Sequence, residues 1–335
     1  LPNGFGECII IELPDDKIGI IDCCTMDQHI DSCIPLEYLE KKGLDFEKVE
    51  FILITHFHQD HYRGISHLIK KCLSARVLVS KAVINLRFEF LIKYCANLPY
   101  RKNPFKEFQT ICDSVAENKR KLISVKAGDV LITNSDYTIS ALSPSDDDLS
   151  YMDSVYKRHN DKISDSKNGA TSYIPTGAKF NFQSVVLLLE YNSENYLFGA
   201  DMEYGKKGTG LEPILANLIN KNKTIAKFKL PHHGSNSSYD YDQYKRLTNE
   251  ESIFTLTPYC KSRLPRQSAI NNLLNHTKEI FGTSKCKDKI LKLPAKQAEH
   301  FKDVGIDFEL IDSKSFGEVI IENSNVSFTG TGHKY

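Results

Sequence analysis

One stretch limits the folds open to this chain more than any other: Phe51-Ile52-Leu53-Ile54-Thr55-His56-Phe57-His58-Gln59-Asp60-His61. Phe51 to Thr55, with Val49 just before, are apolar and β-branched and too short for a helix, so they read as a buried strand. The run then stops in His56, His58, Asp60 and His61, and Gly64 releases the turn. Three imidazoles and a carboxylate within six residues have an obvious chemical use. Neutral imidazole and carboxylate oxygen are the ligands that zinc, iron and manganese accept. His56 and His58 can point one way while Asp60 and His61 turn towards a neighbouring point. Two clusters so close suggest two metal ions, the spacing that clamps the attacking and leaving oxygens of a displacement. The plainer alternative is a polar loop whose histidines cap a strand, but the ligand-type side chains are dense for that role.

The bulk of the chain sets looser bounds. At 335 residues, 41% hydrophobic and 26% charged, it is long enough for one large domain or two small ones. Lys+Arg and Asp+Glu both count 43, so any contact with nucleic acid has to be local rather than driven by net charge. No apolar run reaches membrane-spanning length and no secretory signal is recognisable. The nine cysteines are an odd number without CxxC spacing, which favours reduced thiols. The expectation is a cytoplasmic protein without a membrane segment.

Thr-His-x-His-x-Asp-His after a hydrophobic strand resembles the signature of the metallo-β-lactamase fold superfamily. Asp22 ends the strand Ile18-Gly19-Ile20-Ile21 of a first hairpin. It resembles the aspartate that supports the metal loop by hydrogen bonding from behind the ligands, although a turn-capping Asp reads almost as well. Asp201 sits just past the apolar strand Tyr196-Leu197-Phe198 of a later hairpin, and the resemblance gives it the role of bridging two metals. Pro231-His232-His233-Gly234-Ser235 follows another strand. That string is similar to a subgroup that includes the soluble metal-dependent domain of the DNA-uptake channel protein ComEC and the teichoic acid phosphorylcholine esterases. It implies that one histidine completes the second metal's shell and the other faces the substrate; we assign His233 as ligand and His232 as the partner. The resemblance therefore implies two divalent ions, zinc or manganese, held by His56, His58, Asp60, His61, Asp201 and His233. Asp60 and His232 would be the catalytic pair that orients water and handles protons.

The chain also departs from the family pattern. Many members carry a further histidine before the strand that precedes the bridging aspartate, where this chain has Lys179-Phe180-Asn181-Phe182-Gln183-Ser184. Asn181 or Gln183 is expected near the site, with His159 as an outside candidate for the missing imidazole. Without it, the first metal position keeps an open coordination place. In place of a Gly-His-Pro string the chain has Lys261, Arg263 and Arg266, which with Ser235 suit a phosphate or other anion. Solvated surface cations are the competing reading.

Elsewhere, Leu86, Phe90, Leu91, Tyr94, Phe105, Phe108 and Ile111 recur at helical spacings across residues 82–121, with breaks at Pro99 and Pro104. This segment reads as an insertion, either a basic lid over the metals or a solvated helical face. Residues 143–177, rich in Ser, Asp, Asn and Lys, read as a long mobile loop. A helix is expected over about 267–281, and a hairpin at 318–322 and 326–328 is expected to complete the second sheet. The fold that the resemblance implies is α+β, a four-layer αββα sandwich in one domain over residues 1–335. The function it implies is a metal-dependent hydrolase. A phosphodiesterase or nuclease acting on DNA, RNA or a nucleotide-like phosphodiester stands first. A hydrolase of carboxylic esters, lactones or β-lactam-type amides, a di-iron redox protein and a non-catalytic interaction subunit are the alternatives.

Overall fold

The β-branched runs pair into two sheets. The computed structural model describes residues 4–26, 32–98, 103–167, 178–206, 208–259, 262–284, 318–322, 325–329 and 332–334. The first sheet has five strands, in the order Ile9–Glu12, Ile18–Ile21, Val49–Ile54, Arg76–Ser80 and Leu122–Val125. Its opening pair is antiparallel and the others are parallel. The second has eight, in the order His333–Lys334, Ile280–Gly282, Ile253–Leu256, Ile225–Lys229, Glu194–Phe198, Leu187–Tyr191, Tyr137–Ala141 and Val130–Thr133. Its parallel part runs from Glu194–Phe198 to Ile280–Gly282.

Alternation of side chains across each pleat builds the layers. Phe51 and Leu53 point between the sheets, where they meet Leu78, Ile139, Leu187 and Leu189. Ile52 and Ile54 point the other way, into a core shared with Leu39, Leu68, Phe88, Phe108 and Tyr156 of the covering helices. On the far side Leu188, Leu197, Phe228 and Phe254 pack against Leu211, Leu215, Tyr244 and Ile270, again from helices. Helix, sheet, sheet, helix is the four-layer αββα sandwich.

Several local expectations give way. Residues 143–177 are not a loop throughout, because Asp146–Lys167 is a helix of 22 residues. Its composition is polar, yet Met152, Val155, Tyr156 and Ile163 form one buried stripe at helical spacing. Ser145 and Asp148 cap its start reciprocally. The Ser145 N–H donates to Asp148 Oδ2 at 2.9 Å, and the Asp148 N–H donates to Ser145 Oγ at 3.1 Å. Residues 168–177 of the expected loop lie outside the described residues.

The 82–121 segment holds the helices Leu86–Ala96 and Pro104–Glu117, while 99–102 lie outside the described residues. Arg120, one of its cations, donates to the carbonyls of Cys72 (2.9 Å), Leu73 (3.3 Å) and Ala75 (3.1 Å), and so fastens the segment to the first layer. The helix expected over 267–281 stops at Leu273. Thr277 Oγ1 then donates to Ser252 O at 2.6 Å, and Ile280–Gly282 joins the second sheet as a strand. The hairpin Glu318–Glu322 with Asn325–Thr329 pairs with itself, its first strand only half-buried. Among the described residues the edge of the second sheet is instead His333–Lys334, which takes up the backbone groups of Phe281 and Gly282. No helix among the described residues is long and apolar enough to cross a membrane.

Candidate metal centre

Strand direction gathers the site. Ile18–Ile21 runs parallel to Val49–Ile54, and Glu194–Phe198 runs parallel to Ile225–Lys229. Asp22, the His56–His61 turn, Asp201 and His232–His233 therefore all leave the carboxyl ends of their strands, where open parallel sheets place their sites. The turns are sharp. Asp22, Ala200, His232 and His233 adopt positive φ (61°, 46°, 47° and 55°), a costly conformation for non-glycine residues that clusters at functional sites.

The donor atoms converge. His56 Nε2 and His58 Nδ1 stand 2.9 Å apart, and His56 Nε2 is 3.8 Å from Asp201 Oδ2. Asp201 Oδ1 is 3.4 Å from His61 Nε2, and Asp201 Oδ2 is 3.5 Å from His233 Nε2. Asp60 Oδ2 lies 3.5 Å from His233 Nε2 and 4.0 Å from His61 Nε2. Ligands at about 2.05 Å around a tetrahedral ion stand about 3.3 Å apart, so these spacings suit coordination to shared cations. Among the described residues, buried His61 Nε2 and Asp201 Oδ1 have no hydrogen-bond partner beyond facing each other at 3.4 Å, an arrangement that suits atoms sharing an ion.

The far sides of the rings are anchored. Asp22 Oδ2 is 2.7 Å from His61 Nδ1 and also accepts from Thr55 Oγ1 at 2.7 Å. Thr55 Oγ1 has given its one proton to Asp22, so at 3.0 Å it accepts from His56 Nδ1. His233 Nδ1 donates to the Thr257 carbonyl at 2.8 Å, and the ring stacks on Tyr259 at 5.1 Å. Rings held through Nδ1 aim Nε2 at the centre, as metal-ligating histidines do.

Electrostatics agree. Asp22, Asp60 and Asp201 are buried carboxylates. Burial alone would raise the pKa of Asp201, but the His233 and His61 rings outweigh it and hold the carboxyl well below the usual range. Burial alone would lower the pKa of His61 and His233, but facing carboxylates, Asp201 foremost, raise both, His233 to about 10. His56 goes the other way, pushed well down by burial and then by the His61 and His58 rings. Among the described residues His56, His61 and Asp201, and likewise Asp60, His61 and His233, lie close enough to hold a metal ion.

The other candidates stand as follows. His232 is 21% exposed; its Nδ1 is 3.0 Å from Ser237 Oγ and 3.4 Å from Glu203 Oε1, and its Nε2 is 3.4 Å from Asn181 Nδ2. Asn181 is buried and donates to Glu203, so it adjoins His232 rather than the histidine pair of the first position. Ser235 Oγ is engaged within its own turn, 3.0 Å from Ser237 Oγ. Arg263 and Arg266 are exposed, and Lys261 lies outside the described residues. His159 packs on Phe180 at 5.9 Å, and Phe180 in turn lies 6.2 Å from His58, so an aromatic ring adjoins both imidazoles. Among the described residues neither His159 nor His58 joins a candidate donor group; His58 meets the site through its Nδ1, 2.9 Å from His56 Nε2, while His56 groups with His61 and Asp201.

Gln183 stands in the stretch where many family members carry their further histidine. It accepts from the Phe57 N–H at 2.8 Å and donates to Tyr156 Oη at 2.8 Å, so it holds the backbone between His56 and His58. Three residues escaped the sequence reading. Glu203 and Tyr259 carry no local pattern that marks them. Glu7, only 3% exposed, looks in sequence like part of an ordinary strand, and the adjoining glycine is its one trace.

Comparison with known proteins gives likeness in shape alone. No family model matches the chain, and no curated protein does. Among solved structures, the chain is similar to the metallo-β-lactamase fold protein YhfI from Bacillus subtilis (TM-score 0.37, 11% identity, 75% of this chain and 77% of that one). It is also similar to MEM-A1, a subclass B3 metallo-β-lactamase from a soil metagenome library (TM-score 0.36, 14% identity, 69% and 75%). A third is Zn(2+)-bound PqqB from Methylobacterium extorquens (TM-score 0.34, 8% identity, 67% and 56%).

Proposed function

We propose that this chain is a metal-dependent hydrolase of the metallo-β-lactamase superfamily, one domain over residues 1–335, acting with two divalent cations, zinc or manganese, on a phosphodiester. The observation that carries the reading is the convergence of buried donors from both sheets, with His61 Nε2 and Asp201 Oδ1 facing each other at 3.4 Å and having no hydrogen-bond partner among the described residues. His56, His58 and Asp201 would hold one ion, and Asp60, His61, His233 and Asp201 the other. Divalent cations at such a centre supply Lewis acidity and make water nucleophilic near neutral pH.

The chain's own groups do the rest. Asp22 fixes His61 directly and His56 through Thr55, so the ring directions are set before anything binds. Asp60, 8% exposed, is the carboxylate proposed to orient the attacking water. His232, with Nδ1 held by Ser237 and Glu203 beside it, is the group proposed to pass a proton to the leaving oxygen. The first position would have three donors, and Gln183, in the stretch where many members carry a further histidine, is committed to Phe57 and Tyr156, so a place there would stay open to a substrate oxygen.

The phosphodiester, in nucleic acid or a nucleotide-like molecule, is favoured by local cations and by the ComEC-like string. Exposed Arg263 lies within the Tyr259–Leu264 bridge, and exposed Arg266 stands at the N-cap of the helix that follows it. A Cβ on Gly234 would lie 3.4 Å from Pro265, so the residue between Leu264 and Arg266 packs on the His-His-Gly loop. The test is metal content together with turnover of bis-p-nitrophenyl phosphate, single-stranded DNA, RNA and nitrocefin by the zinc- and manganese-loaded protein. Cleavage of nitrocefin alone overturns the phosphodiester assignment. Asp60→Ala is expected to abolish turnover in a chain that stays folded; retained turnover discredits the site.

A further inference from the structure

We infer that Glu7, paired with Lys229, is a positioning residue that sets the separation of the two loops supplying Asp60, His61 and His233. The inference rests on the metal reading and adds a residue outside the donor set.

Glu7 touches both loops. Its backbone N–H donates to Asp60 O at 2.9 Å. The chain passes so close that a Cβ on the preceding Gly6 (φ 102°) would stand 2.3 Å from Asp60 O. The Glu7 side chain reaches the other sheet. Lys229 Nζ donates to Glu7 Oε2 at 2.9 Å, to Oε1 at 3.1 Å and to the Leu230 carbonyl at 3.1 Å, across 222 positions of sequence. Glu7 Oε2 also lies 3.6 Å from His233 Nδ1, the nitrogen that donates to Thr257. One residue thus ties the Asp60 turn by its main chain and the His233 turn by its carboxylate.

Stability alone accounts poorly for the pair. Glu7 is 3% and Lys229 7% exposed, and a buried ion pair is often no better for stability than packed apolar residues. Glu7 is also within donor distance of Asp201 and His233. Lys229 bonds both carboxylate oxygens, and on this inference it holds Glu7 behind His233 as a brace.

The experiment compares the full chain with Glu7→Gln, Lys229→Met and the double variant. Each is titrated with Zn2+ against a chromophoric chelator, followed by Co2+ absorption, and unfolded thermally. Glu7→Gln is expected to weaken one of the two zinc-binding phases about 10-fold or more and leave the other unchanged. Lys229→Met frees the carboxylate, so the Co2+ bands are expected to change as an extra oxygen ligand enters. The double variant removes both charges. It is expected to regain the thermal stability lost by either single change yet keep the weakened phase, which a purely structural pair would not do. Should Glu7→Gln fail to fold, the double variant decides. A double variant that binds both ions like the wild type overturns this inference alone. A wild-type chain that binds no zinc overturns the metal reading and the inference with it.

Discussion

At the scale of the residue, Asp22 has the widest reach. One carboxylate, 1% exposed, orients two imidazoles, His61 directly and His56 through Thr55. Asp22→Ala is expected to lower zinc affinity about 10–100-fold, checked by chelator competition. The same rings predict a pH dependence. Facing carboxylates raise the pKa of His61 and His233, so at neutral pH the metal-free rings hold protons that a cation has to displace. Zinc affinity is therefore expected to rise with pH towards the value of about 10 at His233, with proton release on binding. Calorimetry in buffers of different ionisation enthalpy reads that release; affinity that falls as pH rises would contradict the proton-holding rings.

At the scale of the element, the helix Asp146–Lys167 supports the His56–His61 turn although, among the described residues, it contributes none of the convergent donors. Tyr156 on its buried face accepts from Gln183 and donates to Ala82 O at 3.0 Å, and Gln183 in turn holds the Phe57 N–H between two donor histidines. Tyr156→Phe leaves the Gln183 amide short of a buried acceptor and is expected to cost about 1–3 kcal/mol. Ser145→Ala, which removes the cap alone, is expected to cost about 1 kcal/mol. Denaturant unfolding measures both. If the relay is sound, Tyr156→Phe also lowers zinc affinity and Ser145→Ala does not. The helix was hidden in the sequence because polar residues crowd its exposed face and only one narrow stripe is apolar. The strands around it were legible because their β-branched runs are continuous.

At the scale of the whole molecule, the centre lies where two sheets meet, so occupancy and stability are coupled. A cation that binds only the folded chain at about 100 times its Kd adds about 2.7 kcal/mol per site. Zinc is expected to raise the Tm and a chelator to reverse the rise; a Tm indifferent to both would mean that the converging donors bind nothing. The sequence alone made the candidate donors and most of the strands legible, but not the order in which the strands pair. A strand running into alternating ligand residues is a local pattern, visible at His56 to His61, at Asp201 and at His233. Only the tertiary structure decided that Glu7 and Lys229 share a buried pair, that Gln183 grips Phe57, and that Glu203 lies beside His232. Those are single side chains brought together across strands distant along the chain. No local spacing encodes such a meeting, because it follows from the packing of one sheet on the other.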